Sequence, residues 1–169
     1  IGTGLVGSEM CIRDSLKRFT MGEADLLFQL DGDADVMKYI TLGIPRTMDE
    51  VIEKSMPRVL QSYQDKSDFG IFAAYLINSE KYIGWFQFEK DKEFEDSIEI
   101  GWRLKKQYWG NGYATEVAIV LCELGIKMGK TIVARAMIEN LASIRVMEKA
   151  GLKFEKEFWG DYDLSLIHI

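Results

Sequence analysis

The residues with the plainest chemical use lie in Gln107-Tyr108-Trp109-Gly110-Asn111-Gly112-Tyr113-Ala114-Thr115. Gly110 and Gly112 separate an alternating apolar run, Ile98 to Leu104, from a long apolar helical pattern, Tyr113 to Met128. A loop opening straight into a helix leaves several backbone N–H groups unpaired and pointing one way. With the positive end of the helix dipole they make a site for phosphate. Glycine suits such a loop, because a side chain would hold a diphosphate away from the main chain. An ordinary glycine-rich turn satisfies the same residues, so the loop alone leaves both readings open. A second cluster follows one strand later: Asn140-Leu141-Ala142-Ser143-Ile144-Arg145-Val146-Met147-Glu148-Lys149-Ala150-Gly151-Leu152. There Asn140 suits a helix cap and Gly151 a helix stop.

The elements that must position these clusters are legible from periodicity. Leu16-Lys17-Arg18-Phe19 alternates as a short strand. Glu23 to Leu30 is amphipathic, with Thr20 or Gly22 near its cap. Asp31-Gly32-Asp33-Ala34-Asp35 is a polar turn that lacks the ligand spacing of a calcium loop. Val36 to Ile40 continues as a short helix, and Thr47-Met48-Asp49-Glu50 is a capping box opening a further helix that Pro57 must bend or split. Strands are expected at Phe69–Leu76 and Tyr82–Phe88, joined as a hairpin, then at Ile98–Leu104, Ile132–Met137 and Lys153–Trp159. Gly101 inside a strand suggests a bulge or the close approach of another chain or ligand. The order predicts an α/β layer fold on one mixed sheet.

Composition narrows the function. The chain has 169 residues, enough for one domain with a core of its own, with 47% hydrophobic and 28% charged residues. A net charge of −6 and a pI near 4.9 argue against a nucleic-acid or anionic-membrane partner and leave room for a cationic amine. Cys11 and Cys122 form no metal or redox spacing, and His168 is the one histidine, so no metal site and no Ser-His or Cys-His nucleophile is expected. No apolar run is long enough to cross a membrane. A dinucleotide fingerprint would put its third glycine at Thr115, and a P-loop would need a Gly-Lys-Ser/Thr ending; neither is present.

The two ends read differently from the rest. Val6 to Ser15 resembles a translated sequencing adapter, and Ser165-Leu166-Ile167-His168-Ile169 resembles the start of another. On that reading residues 1–15 and 165–169 stand outside the fold, and a single domain runs from 16 to 164. A signal peptide is the competing reading of the first fifteen residues, which lack a basic start and an unbroken apolar core.

Gln107-x-x-Gly110-x-Gly112 between strand and helix, and Asn140 to Leu152 after the next strand, together resemble the GNAT superfamily of acetyl-CoA-dependent N-acetyltransferases. Glu99-Ile100-Gly101-Trp102, Trp109 to Glu116, Leu16 to Thr20 and Asp35 to Ile40 look most like the branch that acetylates ribosomal-protein N-termini. The resemblance covers nearly the whole chain between the two ends. It implies a mostly antiparallel sheet with helices on both faces and a splay between the fourth and fifth strands. The family's last strand would follow Asp163. With that strand missing or replaced by the tail, backbone groups of two strands would go unpaired and stability would suffer.

The same resemblance implies a cytoplasmic enzyme, monomeric or homodimeric, with acetyl-CoA as co-substrate and an amine as acceptor. Backbone groups of the Gln107, Gly110, Asn111, Gly112, Tyr113 and Ala114 run would hold the diphosphate. The edge at Trp102, Arg103 and Leu104 would pair with the pantetheine arm as an added strand does, and Asn140 would meet the arm from the other side. A bulge near Gly101 would free an N–H for the thioester carbonyl. Glu99 occupies the family's carboxylate position and would take the amine proton through a water. An α-amine titrates near about 8 and a lysine near about 10.4, so an N-terminus needs little help. Many relatives protonate the leaving thiolate with a tyrosine; Met147 stands at that position here, and Ser143 becomes the candidate donor. A CoA-binding module without transfer activity is the non-enzymatic alternative.

Overall fold

The computed structural model describes residues 14–63, 68–159 and 164–169. Among the described residues seven strands form one sheet: β1 (Asp14–Arg18), β2 (Gly70–Leu76), β3 (Tyr82–Lys90), β4 (Ser97–Leu104), β5 (Thr131–Met137), β6 (Phe154–Trp159) and β7 (Leu164–His168). Their spatial order is β1-β2-β3-β4-β5-β7-β6, antiparallel throughout except for the parallel β4–β5 pair. Between β1 and β2 the chain forms α1 (Ala24–Asp31), α2 (Ala34–Met37), α3 (Met48–Glu50) and α4 (Met56–Gln61); α5 (Tyr113–Lys127) joins β4 to β5 and α6 (Leu141–Lys149) joins β5 to β6.

Helices cover both faces. On one, Leu27, Leu30, Val36, Val51 and Val59 pack over Ile71, Ala73 and Tyr82. On the other, Val117, Ala118 and Leu121 of α5 and Met147 of α6 cluster with Phe72, Phe86, Ile98 and Ile100. Neighbouring residues of β2 thus serve opposite cores, which is why that strand reads as a continuous apolar run rather than an alternating one.

The helix starts follow local chemistry. The Glu50 N–H donates to Thr47 Oγ1 at 3.2 Å while the Thr47 N–H donates to Glu50 Oε2 at 3.0 Å, completing the capping box. Pro57 falls in the first turn of α4, just after a π-helical turn at Val51–Ser55. The wider turn accommodates a residue that lacks an N–H and crowds the carbonyl four positions back, so the helix is reshaped rather than broken.

The C-terminal strand corrects the sequence-based expectation. Far from being missing, it is formed by Leu164–His168, which pairs with β5 through Ala134↔His168 to Met137↔Ser165 and with β6 through Phe154↔His168 to Trp159↔Leu164. The Lys153 and Ile169 N–H groups each donate to the other's carbonyl at 2.8 Å. A short apolar tail with β-branched character has two open strand edges to satisfy, and it satisfies both. His168, expected to stand outside the fold, is 2% exposed. Residues 1–13, with Cys11, lie outside the described residues.

Candidate active site

β4 and β5 pair only at Ser97↔Thr131, Ile98↔Ile132 and Glu99↔Val133. Beyond that point β5 turns to β7 while β4 continues along β3 as far as Leu104, so the sheet forks. Backbone direction along the fork follows from the ladder. At its two ends Asp91 N–H donates to the Ser97 carbonyl and Lys105 N–H to the Ile83 carbonyl, both at 2.8 Å, and the register between them is unbroken. Odd-numbered residues of β4 therefore bond β3, and the N–H groups of Trp102 and Leu104 point into the fork. The Leu104 carbonyl already accepts from Trp109 Nε1 at 2.8 Å.

That alternation separates the three residues expected at the edge. Trp102 and Leu104 present backbone groups to the fork. Arg103 does not: its backbone faces Trp85 of β3 and its guanidinium is paired with Asp31. The bulge anticipated near Gly101 is also absent, since β3 and β4 stay in register through Gln87↔Gly101. A Cβ at Gly101 would come within 3.2 Å of Gln87 Oε1, so the missing side chain makes room for Gln87 to lie across the strand.

Past Leu104 the chain makes a single 3₁₀ turn, Lys106–Tyr108, and enters the glycine loop. Gly110 (φ +74°) and Gly112 (φ +81°) take the left-handed conformation, which glycine adopts without the Cβ penalty. Gly112 stands at the N-cap of α5, so the capping position itself carries no side chain. Gln107, Gly110, Asn111 and Gly112 are exposed, with Asn111 Nδ2 donating to the Trp109 carbonyl at 3.0 Å. Tyr113 and Ala114 begin α5, and the Tyr113 ring meets that of Tyr108 edge-on, with centroids 6.4 Å apart. Fork, loop and helix N-terminus form one continuous tract.

Glu99 and Ser143 belong to opposite faces of the sheet, since Ile98 and Ile100, the neighbours of Glu99, face the core that α6 covers. Glu99 projects to the side of Gln87 and Arg135: Gln87 Nε2 donates to Oε2 at 3.2 Å, and Arg135 Nη1 sits 3.0 Å from Oε1. Ser143 is in the first turn of α6, where its N–H donates to Asn140 Oδ1 at 3.2 Å. Asn140 is thus the helix cap that its residue type suggests. Met147 is 1% exposed within the core, so its position offers neither a donor nor access. Cys122 is buried, which pushes its thiol up to about 11 and leaves it a poor nucleophile.

Two residues around Glu99 were missed from sequence, Gln87 and Arg135. Each comes from a different strand, and only the register puts them on one face. The acidic runs are also largely paired within the protein. Asp33 caps α2, Asp35 pairs with Lys106 at 2.5 Å, Asp96 with Lys130 at 2.7 Å, and Asp91 with Arg135 at 2.5 Å. Among the described residues no cluster of His, Cys, Asp and Glu could hold a metal ion, and no helix is long and apolar enough to cross a membrane.

The acetyltransferase (GNAT) domain model matches residues 13–153, so the chain belongs to the GNAT acetyltransferase family and is an acyltransferase. It is similar to the FsC-acetyl coenzyme A-N(2)-transacetylase of Aspergillus fumigatus, 29% identical over 82% of this chain and 62% of that protein; the chain spans less than two thirds of that relative's length. It is 27% identical to the uncharacterized N-acetyltransferase YnaD of Bacillus subtilis, over 90% of this chain and 92% of the other. A GNAT-family acetyltransferase from Bacillus anthracis superposes with a TM-score of 0.77 at 26% identity, covering 94% of each chain. A RimL ribosomal L7/L12 α-N-protein acetyltransferase bound to coenzyme A shares the fold at 15% identity and TM-score 0.75, covering 94% of each chain. An aminoglycoside acetyltransferase AAC(6')-Ib bound to coenzyme A does so at 21% and 0.72, covering 92% of each. The ribosomal-protein branch is therefore one structural neighbour among several.

Proposed function

We propose that the chain transfers the acetyl group of acetyl-CoA to a primary amine, on a protein N-terminus or a small molecule, by direct attack of the amine. The observation that carries this is the fork between β4 and β5 running into a glycine loop whose Gly112 stands at the N-cap of α5. Backbone N–H groups from Gly110 to Ala114 would hold the diphosphate, and those of Trp102 and Leu104 would bond the pantetheine arm. The co-substrate supplies an activated acyl group. Glu99 would accept the proton of the incoming amine through a water, and Ser143 would donate a hydrogen bond to the leaving sulfur from the other face of the sheet.

The reading is tested by thiol release from acetyl-CoA over a panel of amines: a heptapeptide with a free N-terminus, spermidine, lysine and kanamycin. Turnover with at least one acceptor is expected. Glu99→Gln should lower kcat/KM by about 100-fold and Ser143→Ala by less. Coenzyme A binding without thiol release from any acceptor would instead identify a binding module.

A further inference from the structure

We infer that Arg135 is a positioning residue for Glu99, holding that carboxylate at the vertex of the fork; this rests on the proton-accepting role proposed above for Glu99. The register sets Glu89 directly opposite Glu99, on the same face of β3 and β4. Like charges so placed repel. An arginine from a different element answers each one. Arg58 of α4 reaches Glu89 with both terminal nitrogens, at 3.1 and 2.7 Å. Arg135 of β5 reaches Glu99 with one, at 3.0 Å.

The two clamps are unequal. Arg58 and Glu89 form a closed fork-to-fork pair. Glu99 instead accepts one N–H, from Gln87 on Oε2, and has Arg135 Nη1 as an ion-pair partner 3.0 Å from Oε1, which leaves a lone pair on each oxygen for a further donor. Its side chain is also the more open of the two, 28% exposed against 15% for Glu89. Gly101 permits this arrangement, because Gln87 passes over it to reach Glu99.

Arg135 stands two residues beyond Val133, the last residue of β5 paired with β4, so its ion pair crosses the sheet where the strands part. The guanidinium is itself anchored. Asp91, whose side chain is fully buried, accepts from Nη1 at 2.5 Å and Nη2 at 3.3 Å, and Glu93 accepts from Nη2 at 3.3 Å. Asp91 is fixed in turn by the N–H groups of Glu93 at 2.8 Å and Phe94 at 2.7 Å, and Glu93 by Lys156 at 2.7 Å. The arginine thus sets where Glu99 sits rather than following it. The bland role for the same residue is a staple between the β3–β4 loop and β5, and Asp91 serves that role without touching Glu99.

The test measures thiol release with acetyl-CoA and either spermidine or the heptapeptide, whichever turns over faster. The variants are Arg135→Gln, Arg135→Lys, Asp91→Asn, Glu99→Gln and the Glu99→Gln/Arg135→Gln pair. Arg135→Gln should lower kcat about 10- to 100-fold with KM for acetyl-CoA within about twofold, and Arg135→Lys should recover part of the loss, because it keeps the charge but not the fork. The double variant should be no slower than Glu99→Gln alone, because both changes remove the same function. Asp91→Asn should lower the melting temperature at least as much as Arg135→Gln yet cost clearly less kcat, because it keeps the arginine beside Glu99 with Glu93 still holding the guanidinium.

Multiplying effects in the double variant would overturn the inference, as would equal losses of kcat in Asp91→Asn and Arg135→Gln that track their melting temperatures. Should Arg135→Gln not fold, the same cycle run with Arg135→Met, which also removes the charge, decides. A full-rate Glu99→Gln would sink the proton-accepting role itself. A slow Glu99→Gln beside a full-rate Arg135→Gln would sink only this proposal.

Discussion

Asp31 shows how much one side chain can carry. Its carboxylate, 2% exposed, accepts from Arg46 at 3.2 Å and from Ser55 Oγ at 2.6 Å, and it also pairs with Arg103. Two cations on one buried anion make the anion the member that cannot be spared. Asp31→Asn keeps the shape but leaves Arg103, 15% exposed and stacked over Trp85 at 5.0 Å, without a counter-charge. A loss of about 3–5 kcal/mol is expected from chemical denaturation; a loss under 1 kcal/mol would show that water reaches the arginine after all. From sequence, Asp31 opens an ordinary acidic turn, and nothing local sets it apart from Asp33 or Asp35. The distinction is made by Arg46, Ser55 and Arg103, which are 15, 24 and 72 residues away along the chain.

At the scale of elements, the glycine loop and α5 form a unit whose local signals agree with its structure. Gly110 is the useful probe. A Cβ built there meets nothing within 4 Å, so Gly110→Ala creates no clash in the free protein. Its φ of +74° adds a strain of about 1–2 kcal/mol, worth a few degrees of melting temperature. If the loop's main chain closes on a diphosphate, the same methyl group stands in its way, and KM for acetyl-CoA should rise about tenfold or more while folding is largely spared. An unchanged KM would place the coenzyme elsewhere. Periodicity and caps located this loop and helix because both are short-range properties. The straight passage of β4 through Gly101 was not legible, because a strand glycine fits equally a bulge, a ligand or a neighbouring side chain, and Gln87 decides among them from β3.

The whole molecule depends on closing the far side of the sheet. β7 fills the gap between β5 and β6, and it brings His168 into a buried position against Phe154, ring centroids 6.0 Å apart. Nδ1 has no hydrogen-bond partner among the described residues. Burial pulls the imidazole below its ordinary value of 6.5, against the opposing charge of Glu148. The unfolded chain therefore takes up a proton more readily than the folded one, and this contribution to stability is complete above 6.5 and fades as pH falls below it. Melting curves from pH 8 to 5 should show the chain losing stability relative to a His168→Phe variant over the acid part of that range. Parallel curves would mean that the ring is hydrated in the folded state.

What the chain determines by itself is mostly local. The capping box at Thr47, the alternating run from Ile98 to Leu104, the loop from Gln107 to Ala114 and the cap at Asn140 each depend on residues within a turn or two, so their order and type, and with them the GNAT class, were readable in one dimension. The tertiary structure decided what depends on strand register and edges: which β4 amides face the fork, that Arg103 belongs to Asp31 rather than to the edge, that Glu99 is held by Gln87 and Arg135, and that Leu164–His168 completes the sheet. In a sheet a shift of one residue turns every side chain to the other face. Contacts made between strands therefore cannot be read from either strand alone.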